Sequence, residues 1–342
     1  IKTMKLSEKR SNMLHGVLLI ALFSCAAFYI GDTALMRQLS FSPLIIGIML
    51  GMLYANSLRN RLPETWVPGI LFSSKQLLRL GIILYGFRLT FQNIVDVGLS
   101  AIIIDAIVVI VTIAGGVFVG RLLKMDKEVA LLTSVGSGIC GAAAVLGAEA
   151  TIKSKPYKTA VAVSTVVIFG TISMFIYPVL YRNGVLEVSA NQMGVYTGAT
   201  LHEVAHVVGA GNAMGKEISD VAIIVKMLRV IMLVPVLLIL GYWASGAKKK
   251  MRTTAPIPWF ALGFLAVIGF NSFGLLPAGV IEFINGLDTF LLTMAMTALG
   301  AETNIEKFKK AGAKPFVLAL ILYGWLMIGG YALVKFVAPY LL

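Results

Sequence analysis

Apolar residues occupy this chain in long runs separated by short polar stretches, at about 14-30, 41-57, 75-90, 98-120, 128-152, 156-181, 190-210, 217-245, 256-272, 286-304 and 314-340. Most approach the ~20 residues that cover a bilayer core as an α-helix. A chain in lipid has to satisfy its backbone hydrogen bonds internally, so the runs are predicted to be helices rather than isolated strands. The expected fold is an all-α polytopic membrane protein with about 9-11 membrane segments. Small residues such as Gly47 with Gly51, and the pair Gly115-Gly116, suit close helix contacts in lipid.

Two runs depart from the pattern. The stretch 128-152 contains Gly136-Ser137-Gly138-Ile139-Cys140-Gly141, and 190-210 contains Gly194, Tyr196-Thr197-Gly198, Gly209 and Gly211. Clustered glycines interrupt helices, and broken backbone at membrane depth is tolerated only against protein or a water-filled cavity. Both are expected to be broken or re-entrant segments that enter from opposite faces. Pro43 to Ser57 also aligns without gaps to Pro258 to Ser272, each ending in Asn-Ser. At almost the same offset, Gly86, Gly98 and Gly115-Gly116 match Gly300, Gly312 and Gly329-Gly330, while Gly136 and Gly147 match Gly198 and Gly209. Inverted repeats around broken helices are a recurrent plan of secondary transporters. The expected organisation is an extra N-terminal helix at 1-40, a scaffold repeat at 41-125, a central core at 126-250 and a second scaffold repeat at 251-342. Asn56 and Asn271 occupy equivalent repeat positions, where they either line a pathway or cap helix ends.

Composition strengthens the membrane reading. Of 342 residues 58% are hydrophobic and 13% charged, more apolar surface than a soluble domain can hide. The net charge of +13 would suggest nucleic acid in a soluble protein. Here the basic residues fall in clusters between apolar runs, at 2-10, 59-79, 121-127, 153-158, 248-252 and 307-314, as the positive-inside rule expects of cytoplasmic loops. The N-terminus is therefore placed in the cytoplasm and no nucleic acid is expected. The basic start followed by the run 14-30 resembles a signal sequence, but no small-x-small cleavage site follows, so it is read as an uncleaved span.

A helix that begins in mid-membrane presents unpaired N–H groups and the positive end of its dipole. The stretch Gly136, Ser137, Gly138, Cys140, Gly141 and the stretch Thr197, Gly198, Thr200 offer two such ends for an anion. Lys226 and Arg229 lie three apart on one face of 217-245. At that depth each charge costs ~2.5 kcal/mol or more, so they either balance a dianion or pair with Glu203, Asp220 or Asp105. His202-Glu203-Val204-Ala205-His206 matches the H-E-x-x-H pattern of zinc proteases. An intramembrane metalloprotease would need a third ligand, for which Asp288 is the available source. The alternative makes His202 and Glu203 a titratable coupling site.

The stretches Ser134 to Ala142, Gly198 to Ala205 and Lys226 to Val230 resemble the YeiH-type family of bacterial multi-pass inner-membrane proteins, for which sulfate export is the proposed activity. The resemblance covers nearly the whole chain. It implies a secondary transporter of a small inorganic or sulfur-containing, sulfate-like anion across the bacterial inner membrane, working by alternating access with proton or sodium coupling. No enzyme activity, metal or cofactor is expected; the partners expected are the anion, the bilayer and, by architectural analogy, a second copy in a homodimer. The zinc protease and a passive anion channel are the alternatives.

Overall fold

The computed structural model describes residues 2-33, 36, 42-57, 63-245, 259-303 and 312-340; among these the regular structure is helical, with no strand. Arg37, Arg59, Arg61 and the basic clusters at 248-252 and, for the most part, 307-314 lie outside the described residues. Among the described residues seven helices are long and apolar enough to cross a membrane. Large apolar side chains such as Leu22, Leu99, Ile110, Trp243 and Ile328 stand on the outside, as a lipid-facing surface requires. The chain divides into two compact units, Ile1–Phe91 with Leu262–Ile305, and Gln92–Ala261 with Glu306–Leu342.

The first unit contains α1 (Lys2–Gly31), α2 (Pro43–Ser57), α3 (Glu64–Arg88), most of α11 (Trp259–Ser272) and α12 (Ala278–Glu302). On α1 the positions Leu14, Leu18, Leu22 and Tyr29 are exposed while Ile20, Ser24 and Ala27 are buried, the two faces of a helix with one side to lipid. The repeats cross-pair. Helix α2 runs parallel to α12 through Gly47 and Gly51, where an added Cβ would strike the Thr297 hydroxyl and carbonyl respectively. Helix α11 runs parallel to α3, and an added Cβ at Gly86 would come within 2.9 Å of the Phe264 carbonyl. The α3 and α12 members are antiparallel. Arg88 donates through Nε to Asp288 Oδ2 at 3.0 Å and through Nη2 to Thr289 Oγ1 at 2.7 Å, while Ser74 hydrogen-bonds Glu302 toward the other end.

The two asparagines make the symmetry visible at atomic scale. Asn56 donates to the Thr303 carbonyl at 3.2 Å and Asn271 to the Leu89 carbonyl at 2.9 Å. Leu89 and Thr303 are separated by the same offset as Gly86 and Gly300. Both asparagines therefore cap the carbonyl end of the other repeat's helix. This selects the capping reading for them.

The second unit holds α4 (Phe91–Leu122, less its first residue), α5 (Lys127–Gly138), α6 (Ala142–Ile152), α7 (Pro156–Arg182), α8 (Ala190–Thr200), α9 (Val204–Met214), α10 (Lys216–Ser245) and α13 (Ala313–Tyr340). The last helix of each scaffold repeat thus clusters with the central region. These two, α4 and α13, are antiparallel, with Gly116 against Leu322 and Gly120 against Leu318. Their matched glycines share one backbone state, Gly98 at φ 76° and Gly312 at φ 81°, which an L side chain adopts only with strain.

Both broken segments are re-entrant hairpins. The first, α5–α6, opens where Ser154 donates to Glu128 at 2.8 Å and Lys158 to Asp126 at 2.7 Å, so its two ends lie on one side. Asp126 also caps α5, accepting from the amides of Glu128 and Val129. The Lys158 hydrogen bond holds its carboxyl below the usual range. The second, α8–α9, starts with a Ser189–Gln192 capping box and ends where Arg182 donates to the Ala213 carbonyl. Lys158 and Arg182 lie toward opposite ends of the 27-residue α7, a rise of ~40 Å. The hairpins therefore enter from opposite sides.

The breaks are narrower and later than the glycines suggest. Helix α5 continues through Gly136 and Gly138, and the turn is Ile139 to Gly141. Helix α8 continues through Gly194 and Gly198, and the turn is Leu201 to Glu203. The helical glycines serve close approach. A Cβ at Gly136 would press on Val145 and Val166, and one at Gly198 on the Ala222 carbonyl of α10. The helix end expected at Thr197–Thr200 is consequently a carbonyl end, and the second amide end is at Val204.

Candidate functional site

The two turns meet at the middle of the second unit. Lys226, fully buried on α10, donates through Nζ to the Ile139 carbonyl and to the Leu201 carbonyl, both at 2.6 Å. Ile139 and Leu201 are the C-cap residues of α5 and α8 and correspond under the offset that matches Gly136 with Gly198. One ammonium therefore neutralises the negative ends of two helix dipoles. Glu203 closes the junction from the other side, its Oε1 accepting from the Ala142 amide at 3.0 Å, the first N–H of α6. Gly141, at φ 73° and ψ −136°, makes room for it: a Cβ there would overlap the Glu203 side chain.

Depth follows from α7. Gly170, near the middle of that helix, lies against both His202 and His206, where any side chain would collide with the His206 ring. The junction is thus mid-membrane, where insertion of a charge needs a partner.

Arg229 sits one turn beyond Lys226. Its Nε lies 2.8 Å from Asp105 Oδ1, with both side chains buried. The N–H is badly aimed for a hydrogen bond, so the pair is held by charge, and Nη1 and Nη2 have no hydrogen-bond partner. The hydroxyls of Ser137 and Thr197 and both ring nitrogens of His202 are also buried and without partners. Buried donors left unpaired cost ~1-3 kcal/mol each. They lie on elements that meet at the junction, which makes it the candidate place for a polar ligand.

The residues expected from sequence divide into groups. Ser137, Thr197, His202 and Arg229 are the unsatisfied ones; Cys140 is buried in the first turn, within reach of the charges of Lys226, Glu203 and Arg229. Gly136, Gly138 and Gly198 are packing positions, Gly138 against Ile113 of α4. Thr200 is committed, joined to Tyr177 at 3.0 Å and to the Tyr196 carbonyl at 2.6 Å beside the stacked Tyr177–Tyr196 rings. Lys226 is spent on the two carbonyls. The α6 amide end, expected to be open, carries Glu203. Sequence reasoning missed the carbonyls of Ile139 and Leu201 as partners of Lys226. The Gly136/Gly198 offset, extended by three residues, points to both carbonyls.

The zinc geometry is not formed. Its two histidines need one continuous helix face, but α9 begins at Val204, after His202. His206 Nε2 lies 3.5 Å from Thr171. Asp288 belongs to the other compact unit, where Arg88 binds it. Among the described residues no group of three or more His, Cys, Asp or Glu could hold a metal.

The family model described as "Conserved hypothetical protein 698" matches residues 15–319. A "UPF0324 membrane protein" of Bacteroides thetaiotaomicron is 70% identical over 336 residues, covering 96% of this chain and all of that one. One from Bordetella pertussis is 46% identical, covering 97% of each chain. The "UPF0324 inner membrane protein YeiH" of Escherichia coli K12 is 44% identical, covering 94% of this chain and 93% of that one.

Proposed function

The chain belongs to the UPF0324 family of membrane proteins, and from the site just described we propose that it is a secondary transporter of a small inorganic or sulfur-containing anion. The observation that carries this reading is the buried junction of two opposed hairpin turns, with Arg229 Nη1 and Nη2, Ser137 Oγ and Thr197 Oγ1 unpartnered. A guanidinium fork suits an oxyanion bidentately, and neighbouring hydroxyls complete its coordination. Inverted repeats around mid-membrane breaks support alternating access, with saturable transport rather than open conduction. The basic residues around the mouth of the first hairpin, Arg121, Lys124, Lys127, Lys153, Lys155 and Lys158, support a cytoplasmic opening for it and a cytoplasmic N-terminus. Sulfate or a relative of it is the substrate implied by the YeiH-type resemblance.

The test is ligand-dependent thermal stabilisation of the purified protein with sulfate, sulfite, thiosulfate, taurine, phosphate and chloride, since a ligand of the native state raises apparent stability. One of these should shift the wild type in a concentration-dependent way. In R229A, which removes charge-assisted hydrogen bonds of ~1.5-3 kcal/mol, affinity should fall at least about tenfold. D105N/R229M, which removes the ion pair as a unit, should restore fold stability but not binding. Wild-type affinity in both variants overturns the assignment.

A further inference from the structure

Glu203 occupies the position where an anion would be expected. It is the N-cap residue of α9, with φ −116° and ψ 154°, yet its side chain makes no cap bond to its own helix. Instead it crosses to the other hairpin and accepts from the Ala142 amide. A carboxylate at that amide end demonstrates that the α6 N-terminus, on an 11-residue helix, is competent to hold an anion. Unpartnered Arg229, Ser137 and Thr197, each fully buried, supply independent donors at the same junction.

The charges there cancel without a ligand. Lys226 and Arg229 supply two positive charges, Asp105 and Glu203 two negative ones, and the imidazoles of His202 and His206 are counted neutral. Glu203 is faced by Lys226 from α10 and by Cys140 and the Ala142 amide from the first hairpin. His202 stands beside it in the turn, with His206 at the start of α9. Of the four charged groups Glu203 alone is not fully buried; Lys226, Arg229 and Asp105 are 0% exposed. It is the member that can exchange with water.

We propose that Glu203 is a tethered stand-in for the substrate: an entering anion displaces it from the α6 amide end, and it takes up one proton as it leaves. This rests on the anion-transport reading and deepens it. The proton comes from water and bonds to a carboxylate oxygen, so Glu203 goes from −1 to 0 and the junction from neutral to +1. One monoanion returns the junction to neutral. A dianion would leave one uncompensated negative charge in an apolar surround, which is costly. The substrate class is therefore a singly charged small anion, or the hydrogen form of a divalent one, carried with one proton. When the anion departs, the proton is released and the carboxylate returns to Ala142.

The experiment combines two measurements on the purified full chain: anion binding by calorimetry at several pH values, and proton uptake on binding in weakly buffered solution. Chloride, nitrate, hydrogen sulfite, hydrogen carbonate and sulfate are the probes. The wild type should take up about one proton per bound monoanion and lose affinity about tenfold per pH unit in the range where free Glu203 is ionised. E203Q, of the same shape but unable to ionise, should bind the same anion more tightly than wild type within that range, with no proton uptake and no pH slope. Anion binding that depends on Arg229 but takes up no proton, or an E203Q that keeps the wild-type pH slope, overturns the stand-in while leaving the transport reading in place. Binding of none of these probes to either protein overturns both. The wild-type proton count needs no variant, so a misfolded E203Q does not rescue the idea.

Discussion

The two re-entrant hairpins are copies of one device with different tips. Each is a helix of 11 or 12 residues, a three-residue turn and a second helix of 11. Each presents a C-cap carbonyl to Lys226 at the same distance of 2.6 Å. Beyond that carbonyl they diverge: Cys140-Gly141 in the first stands where His202-Glu203 stands in the second. The shared part holds the turns together, and the unshared part carries the ionisable groups. Only one hairpin can bear a carboxylate at this position, because Gly141 and Glu203 face each other and a side chain on both would overlap. Symmetry builds the junction and its breaking supplies the chemistry.

The most damaging way to break the comparison is to remove what both hairpins share. Lys226→Met leaves two buried carbonyl ends without their ammonium, and charge-assisted bonds of ~1.5-3 kcal/mol apiece imply a loss of about 3 kcal/mol or more. Thermal unfolding in detergent reads the cost. Cys140, buried in wild type, reads its location: in a C25S background it should become reactive to maleimide in K226M. An unchanged labelling rate would remove Lys226 from its role as the clamp of the first turn.

Gly141→Ala tests the unshared part with a smaller effect. The residue sits at φ 73°, where an alanine costs on the order of 1-2 kcal/mol, and its methyl also collides with Glu203. The steric share should vanish in G141A/E203A and the backbone share should remain, so the double-mutant cycle should show a favourable coupling near 1 kcal/mol. Strict additivity would mean that Glu203 does not rest against Gly141.

Much of this was legible from residue order alone. The apolar runs marked the helices, and the two glycine clusters marked the two broken segments. The Asn-Ser and Gly matches marked repeats whose antiparallel members, α3 with α12 and α4 with α13, now lie side by side. What was not legible was the purpose of individual glycines. Gly136 and Gly198 are helical and serve close packing, whereas the turns fall at Ile139-Cys140-Gly141 and Leu201-His202-Glu203, the second with no glycine at all. A composition signal for helix breaking cannot separate a glycine that breaks from one that lets a neighbour approach, since both ask for a missing Cβ. The partners of charges were equally hidden: Lys226 binds backbone carbonyls, which no side-chain pattern announces. Residue order leaves Asp220, Asp105 and Glu203 equally open as partners for the basic pair, and geometry selects Asp105 for Arg229.

The gentlest test asks whether the scaffold repeats are as equivalent as the hairpins. Asn56 and Asn271 each cap the carbonyl end of the other repeat, but not identically. Asn271 donates to both Phe87 and Leu89 at 3.1 and 2.9 Å, whereas Asn56 divides its donors between Thr303 at 3.2 Å and Met52 of its own helix at 2.8 Å. Counting at ~1 kcal/mol each the bonds that cross to the other repeat, and discounting the exposed bond of Asn56 to its own helix, N56A should cost about 1 kcal/mol and N271A up to about twice that. The two caps share no atoms, so the double variant should equal the sum within ~0.5 kcal/mol. Equal costs would mean that the second bond of Asn271 contributes nothing, and a marked excess in the double variant would mean that the cross-paired repeats transmit strain to each other. In that case the symmetry of the scaffold would be mechanical as well as structural. A free-standing sum would leave coupling between the two faces to the hairpins and the ions at their tips.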